Sequence, residues 1–212
     1  MFGPWSCGFV KCAIARRGAR GGSDPVSGSW GSLLLSPDLT AAPTAYNSAD
    51  AVNSLIAAEH LARTNPSWQP DANGTYCNFG LQQVAARVGA PMEPITSSDG
   101  NPYMANQIAQ NLASSTDYVA VTPEQAQALA DQGDLVIAAW DNPNGHGHVA
   151  AVYPDNGPDG TDNVQTSSND ARSTGPLLNN IGIASQMTVI YAGEVFVHNQ
   201  PVIYYTPAQN VH

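Results

Sequence analysis

The stretch Asp134-Leu135-Val136-Ile137-Ala138-Ala139-Trp140, then the turn Asp141–Gly147, then His148-Val149-Ala150-Ala151-Val152-Tyr153 decides how this chain folds. Leu135, Val136 and Ile137 are consecutive apolar residues, which marks a central strand covered on both faces. Asn142, Pro143, Asn144 and Gly145 carry turn chemistry. The apolar run that follows reads as the next strand. Everything upstream of Asp134 with a clear period has a helical one, and everything downstream reads as strand or loop. Helices first and strands second predict an α+β fold, N-terminal helices packed on a C-terminal antiparallel sheet.

Moving outward toward the N-terminus, Thr122-Pro123-Glu124-Gln125 is a strong helix start. Thr122 caps, Pro123 takes the first helical position, and Gln125 closes a capping box. That helix ends near Gln132, before Gly133. Asn101-Pro102 opens a helix over about Tyr103–Ser114 with Met104, Ile108 and Leu112 on one side. Phe79, Leu81, Val84, Ala85 and Val88 supply the buried side of a helix Asn78–Val88, with Gly89 as its C-cap. Ser48 caps a helix over Ala49–Arg63, which Asn65-Pro66 stops. The loop Pro66–Gly74 carries Trp68. Toward the C-terminus, Asn163–Ser168 reads as a short strand and 169–186 as mostly loop, with Asn179-Asn180 near its middle. Met187–Ala192 and Glu194–His198 read as strands, or one bent strand, and Val202–Tyr205 as an edge strand.

The chain has 212 residues, enough for one full core. Residues 1–45 lack periodicity and read as an extended or poorly ordered arm, with a short strand at Ser32–Leu39. Residues 46–212 read as one domain. The net charge is −10, unevenly spread. Lys11, Arg16, Arg17 and Arg20 lie within 1–22, which holds no acid. Arg63, Arg87 and Arg172 face all 17 acids in the rest. An acidic body repels phosphate backbones, so nucleic acid is excluded as an expected partner. No apolar run approaches the roughly 20 residues a membrane-spanning helix needs. The N-terminus lacks the apolar core of a standard signal peptide, which leaves other routes of export open. Cys7 and Cys12 lie close together near the start, as incidental thiols or a local disulfide, and Cys77 stands apart.

Cys77 lies in Gly74-Thr75-Tyr76-Cys77-Asn78-Phe79-Gly80, in the first turn of its helix. Unpaired backbone N–H groups there favour a thiolate. His148 begins a strand after a loop. A cysteine at a helix start and a histidine at a strand start are the parts of a Cys-His hydrolase, in which thiolate attacks and imidazole shuttles the proton. The alternative is a buried, inert cysteine and a pair of polar loop histidines. His148 is the better base, since His146 lies two residues earlier in the loop. Two histidines at that spacing, without a carboxylate cluster, make a poor zinc signal, and a Cys-His mechanism requires no metal or organic cofactor. The residue that orients the imidazole belongs on the neighbouring strand. Gln165 is the first choice there, with Asn163, Ser167 and Asn169 as alternatives. Tyr76, Asn78, Trp68, Trp140 and His146 are candidate substrate-groove residues by nearness in sequence, although tryptophans more commonly pack a core.

Tyr76-Cys77-Asn78-Phe79, Gly133-Asp134-Leu135-Val136 and Gly147-His148-Val149-Ala150-Ala151-Val152, in that order, resemble the NlpC/P60 and CHAP group of papain-like cysteine hydrolases. Ala138-Ala139-Trp140-Asp141-Asn142-Pro143 and Phe196-Val197-His198 look like secreted or phage wall amidases of the same type. The resemblance covers roughly residues 47–198. It implies a helix-on-sheet fold and cleavage of amide bonds in bacterial peptidoglycan, with Cys77 as nucleophile, His148 as base and Gln165 as orienting group. It also implies delivery to the periplasm or extracellular space, or association with a virion. A secreted effector of this kind would have a cognate inhibitor protein; the alternative is that the arm 1–45 docks the enzyme to a larger secretion or virion assembly. The chain departs from the group at Asn78, beside the cysteine, and in the extra helix between Cys77 and His148. Two other classes compete: an inactive wall-binding or virion structural protein, and a Cys-His deamidase or transferase acting on a protein.

Overall fold

A computed structural model describes residues 48–71, 74–155, 174–181, 188–196 and 201–211. In chain order the elements are α1 (Ser48–Thr64), α2 (Cys77–Arg87), α3 (Ala105–Ser114), β1 (Tyr118–Val121), α4 (Pro123–Ala130), β2 (Ile137–Trp140), β3 (His148–Val152), β4 (Leu177–Asn180), β5 (Thr188–Tyr191), the single turn α5 (Ala192–Val195) and β6 (Ile203–Pro207). The strands form one six-stranded sheet in the order β1-β6-β2-β3-β4-β5. Each neighbouring pair is antiparallel. The architecture is α+β, as the order of periodicities predicts.

Helices cover both faces of the sheet. Successive side chains of a strand point to opposite faces, and the register keeps like with like: Ala139 pairs with Val149 and Ala138 with Ala150. Ile137, Ala139, Val149, Ala151 and Tyr205 pack under α1, α2 and α3, against Leu55, Leu81, Val84, Ile108 and Leu112. Val136, Ala138, Ala150, Val152, Leu178 and Tyr204 pack on the other face, under Ala126 and Ala130 of α4 and Ala192, Val195 and Phe196 around α5. Leu55, Leu81, Ile108, Leu112 and Ile137 are fully buried, and each such side chain contributes about 1.5–3 kcal/mol over its exposed state. Alanines at Ala138, Ala139, Ala150 and Ala151 keep the centre of the sheet thin, so both helical layers approach it closely.

Local chemistry fixes the helix ends. Thr122 accepts from the Gln125 backbone N–H while the Gln125 side chain accepts from the Thr122 N–H, a complete capping box, worth about 1 kcal/mol. Gly89, just past α2, has φ of 70°, the left-handed conformation that terminates helices. α1 is tied to the sheet by polar contacts. Arg63 Nη1 donates to Asn179 Oδ1 at 2.9 Å, and Asn179 Nδ2 donates to the Glu59 carbonyl at 3.1 Å.

Several sequence expectations are corrected. Asn179-Asn180 does not lie in a loop; it ends β4, all four residues of which are buried. Two asparagines argue against a strand by propensity, but the Asn179 amide is satisfied by α1. Of the expected edge strand Val202–Tyr205, Ile203–Tyr205 belong to β6, which is not an edge but lies between β1 and β2. The last strand among the described residues is thus an interior one, second from the edge, and Tyr205 and Tyr204 pack one on each face. Glu194 lies in the short helix α5 rather than in a strand. β1 is a strand that the sequence pattern passed over, since its four residues form a half-exposed edge. α3 starts at Ala105, two residues later than expected, because Met104 is extended and the Tyr103 N–H donates to the Ile95 carbonyl rather than into a helix. The arm 1–45, Cys7 and Cys12, and the strand Asn163–Ser168 lie outside the described residues.

Candidate functional site

α2 begins at Cys77 and lies across β3, which begins at His148. Two contacts fix the level at which the helix sits. Gly80 is pressed on Ile181, so close that a Cβ there would meet Ile181 Cγ2 at 2.9 Å. The β3–β4 pairing of Ala151 with Asn179 carries Ile181 level with Val149. Asn78 Nδ2 donates to the carbonyl of Tyr103, three residues before Asn106, and Asn106 bonds the β2–β3 loop at Asn142 and Gly145, so the start of α2 lies toward the end of the sheet where β3 begins.

Cys77 is 2% exposed and packs in the apolar layer that holds Leu81, Val149 and Ala151. Polar groups flank it. Asn78 is buried, and its Nδ2 donates to the Tyr103 carbonyl at 2.9 Å. Asn78 Oδ1 and Thr75 Oγ1 are buried without a hydrogen-bond partner among the described residues. Tyr76 occupies the N-cap position and offers no side-chain cap.

His148 is 5% exposed. In the sheet it pairs with Trp140, which packs on the α4 and α5 side. The imidazole rests on Phe196, ring centroids 5.6 Å apart. Its Nε2 has no hydrogen-bond partner among the described residues. Loss of solvation pushes its pKa down to about 4, because burial disfavours the charged imidazolium. At neutral pH the ring is an uncharged base.

Cys77 and His148 thus occupy the same end of the sheet but opposite faces. The expectation that the helix start and the strand start hold sulfur and imidazole side by side is not met in this arrangement. The physical reason is the strand's alternation, which gives the α2 side to Gly147 and Val149 and the other side to His148. Of the remaining candidates, Tyr76, Asn78 and Trp68 gather around the start of α2. Trp140 is half-buried beside His148. His146 is exposed in the β2–β3 loop, where its carbonyl accepts from Asn142 Nδ2 at 3.2 Å. Gln165, Asn163, Ser167, Asn169 and His198 lie outside the described residues.

The structure adds residues that the sequence did not single out. Asn106 on α3 clamps the β2–β3 loop: its Nδ2 donates to the Asn142 and Gly145 carbonyls at 3.0 and 2.8 Å, and its Oδ1 accepts from the Asn142 N–H at 2.9 Å. Gly147 passes so close to Asn106 Oδ1 and the Trp140 carbonyl that no Cβ fits there. Phe79 joins Trp68 and Tyr76 in a half-buried aromatic group on the outer side of α2. A lone asparagine one residue inside a helix carries no sequence signal, since its role depends on a loop 36 residues away. Among the described residues, no group of three or more His, Cys, Asp or Glu side chains could hold a metal ion. No helix among them is long and apolar enough to cross a membrane. No family model matches the chain, and no curated protein matches it.

Proposed function

We propose that the chain is a thiol hydrolase that cleaves amide bonds in the peptides of bacterial peptidoglycan, in a form where the catalytic pair is not yet assembled. One observation supports the reading: a helix that opens on Cys77 packs on a strand that opens on His148, and the helix start is linked through Tyr103 and Asn106 to the loop that leads into that strand. The energetic state of His148 supports it further. A buried imidazole nitrogen without a partner costs about 1–3 kcal/mol, so His148 gains by leaving Phe196 for a hydrogen-bonding partner at the sheet's end.

In the assembled form, neutral His148 takes the Cys77 proton and the thiolate attacks the peptide carbonyl. Backbone N–H groups at the uncapped start of α2 hold the oxyanion. The C–N bond breaks as imidazolium protonates the leaving amine. Water, deprotonated by His148, then cleaves the thioester and regenerates the thiol. Gln165 is the proposed orienting group for the imidazole. A periplasmic, extracellular or virion setting, with an inhibitor protein or a docking assembly as partner, follows from this substrate and stands or falls with it.

A second reading is favoured by the burial of Cys77 and its separation from His148: a wall-binding or virion structural protein without turnover. Incubating purified peptidoglycan with the wild-type chain and with Cys77→Ala, and identifying the products by mass spectrometry, decides between them. New amine and carboxylate ends from wild type alone support the hydrolase, and their positions name the bond. Undigested wall with the wild-type chain bound to it supports the second reading.

A further inference from the structure

The β2–β3 loop carries Asn144-Gly145, a pair that takes no part in the thiol chemistry above. Both residues are exposed. Among the described residues no other asparagine is followed by glycine. An asparagine amide is thermolabile, because the next residue's backbone nitrogen can attack its side-chain carbonyl carbon. Glycine, without a Cβ, obstructs that attack least. The neighbouring Asn142 is barred from the same reaction, since Pro143 has no backbone N–H. The Asn144 amide makes no side-chain hydrogen bond among the described residues; only its backbone N–H is engaged. The fold does not demand glycine at 145. Gly145 does not adopt the left-handed φ, and a Cβ there would meet the end of the Asn142 side chain, at 3.2 Å from Nδ2.

The loop also restrains the reaction. The Gly145 N–H donates to the Asn142 carbonyl at 3.2 Å, a long amide hydrogen bond. Asn106 Nδ2 holds the Asn142 and Gly145 carbonyls at 3.0 and 2.8 Å. Asn142 Oδ1 accepts from the Asn144 N–H at 3.1 Å, and Asn142 Nδ2 donates to the His146 carbonyl at 3.2 Å. To react, the Gly145 nitrogen must lose its proton and turn from the Asn142 carbonyl toward Asn144 Cγ, which pulls the Gly145 carbonyl from Asn106. We propose that Asn144 is a site of spontaneous deamidation gated by the Asn106 clamp. The Gly145 nitrogen bonds Asn144 Cγ, the Cγ–Nδ2 bond breaks, and ammonia leaves with the proton of the backbone nitrogen. Water then opens the five-membered imide at either carbonyl, to aspartate or isoaspartate. Either product adds a negative charge, and isoaspartate also adds a methylene to the main chain before Gly145. The lengthened chain cannot present the Gly145 carbonyl to Asn106 and the His146 carbonyl to Asn142 as before. The reaction therefore loosens, irreversibly, the loop that leads into His148. It does not depend on the hydrolase reading.

The test is to hold the folded full chain at mildly alkaline pH for days and follow Asn144 by peptide mass spectrometry, with isoaspartate scored by enzymatic methylation. A synthetic peptide of residues 141–147 in the same buffer gives the unrestrained rate. Wild type should convert at Asn144 to both products, severalfold more slowly than the peptide. Amide exchange at residues 145–148 should quicken in the converted fraction. Gly145→Ala should keep the fold and stop conversion over the same period. Asn106→Ala should bring the rate close to that of the peptide. Should that variant fail to fold, Asn142→Ala, which frees the Asn144 N–H and the His146 carbonyl, should quicken conversion severalfold. Asn144 still intact in wild type once the peptide has converted, or a rate unaltered by Gly145→Ala, would overturn the proposal. So would wild type reacting as fast as the peptide, or folded clamp variants reacting no faster than wild type.

Discussion

At the scale of single residues, His148 sets the acid behaviour of the fold. Its folded pKa, about 4, lies below the 6.5 of an unfolded histidine. Between those values the unfolded chain binds the proton and the folded chain does not. The group's contribution is therefore complete above pH 6.5 and is lost as pH falls toward 4, a loss on the order of 3 kcal/mol. Replacing it with leucine removes both the unpartnered Nε2 and the titration. His148→Leu should match or exceed wild-type stability at pH 4.5 and flatten the pH dependence between 6.5 and 4, measured by urea unfolding. An unaltered slope would show that the imidazole is solvated in solution. The burial of this histidine could not be read from the sequence. It depends on Phe196, 48 residues later, folding back over the start of β3.

At the scale of elements, α2 positions the site, and one glycine sets its height. A methyl group at Gly80 would strike Ile181, which sits in a packed layer with little room to yield. Gly80→Ala should therefore cost about 1–3 kcal/mol despite alanine's better helix propensity. It should also lift the start of α2 from the sheet, seen as faster amide exchange in Cys77–Gly80. A stabilised protein would mean that the helix lies farther out. Helices with their own punctuation were legible: Thr122-Pro123 with Gln125 and the Gly89 stop forecast α4 and the end of α2 closely. Strands whose identity is settled by partners were not. β4 carries two asparagines that make sense only against Arg63 and Glu59. β6 is the last described strand yet lies inside the sheet, second from its edge, and alternation alone cannot tell an interior strand from an edge one. For the site, residue types and order were legible at Cys77 and His148. Which face each side chain takes depends on strand phase, which consecutive apolar residues on a doubly covered strand do not reveal.

At the scale of the whole molecule, two helical layers enclose a thin alanine-rich sheet, and the groups able to do chemistry collect at one end of it. Cys77 lies on one face, His148 on the other, the Asn106-clamped loop between them, and the aromatic surface outside α2. The hydrolase account therefore requires that this end open enough to expose the sulfur and release the imidazole, while the rest of the sheet stays folded. The most direct measurement is the alkylation rate of Cys77 in the native chain by iodoacetamide, followed by peptide mass spectrometry across pH 5–9 for wild type and His148→Ala. The account predicts labelling of Cys77 in the folded protein well below the pH of an ordinary thiol (about 8.5), and a marked slowing at that pH when His148 is removed. Labelling that appears only at the rate of global unfolding, equally in both proteins, would contradict it.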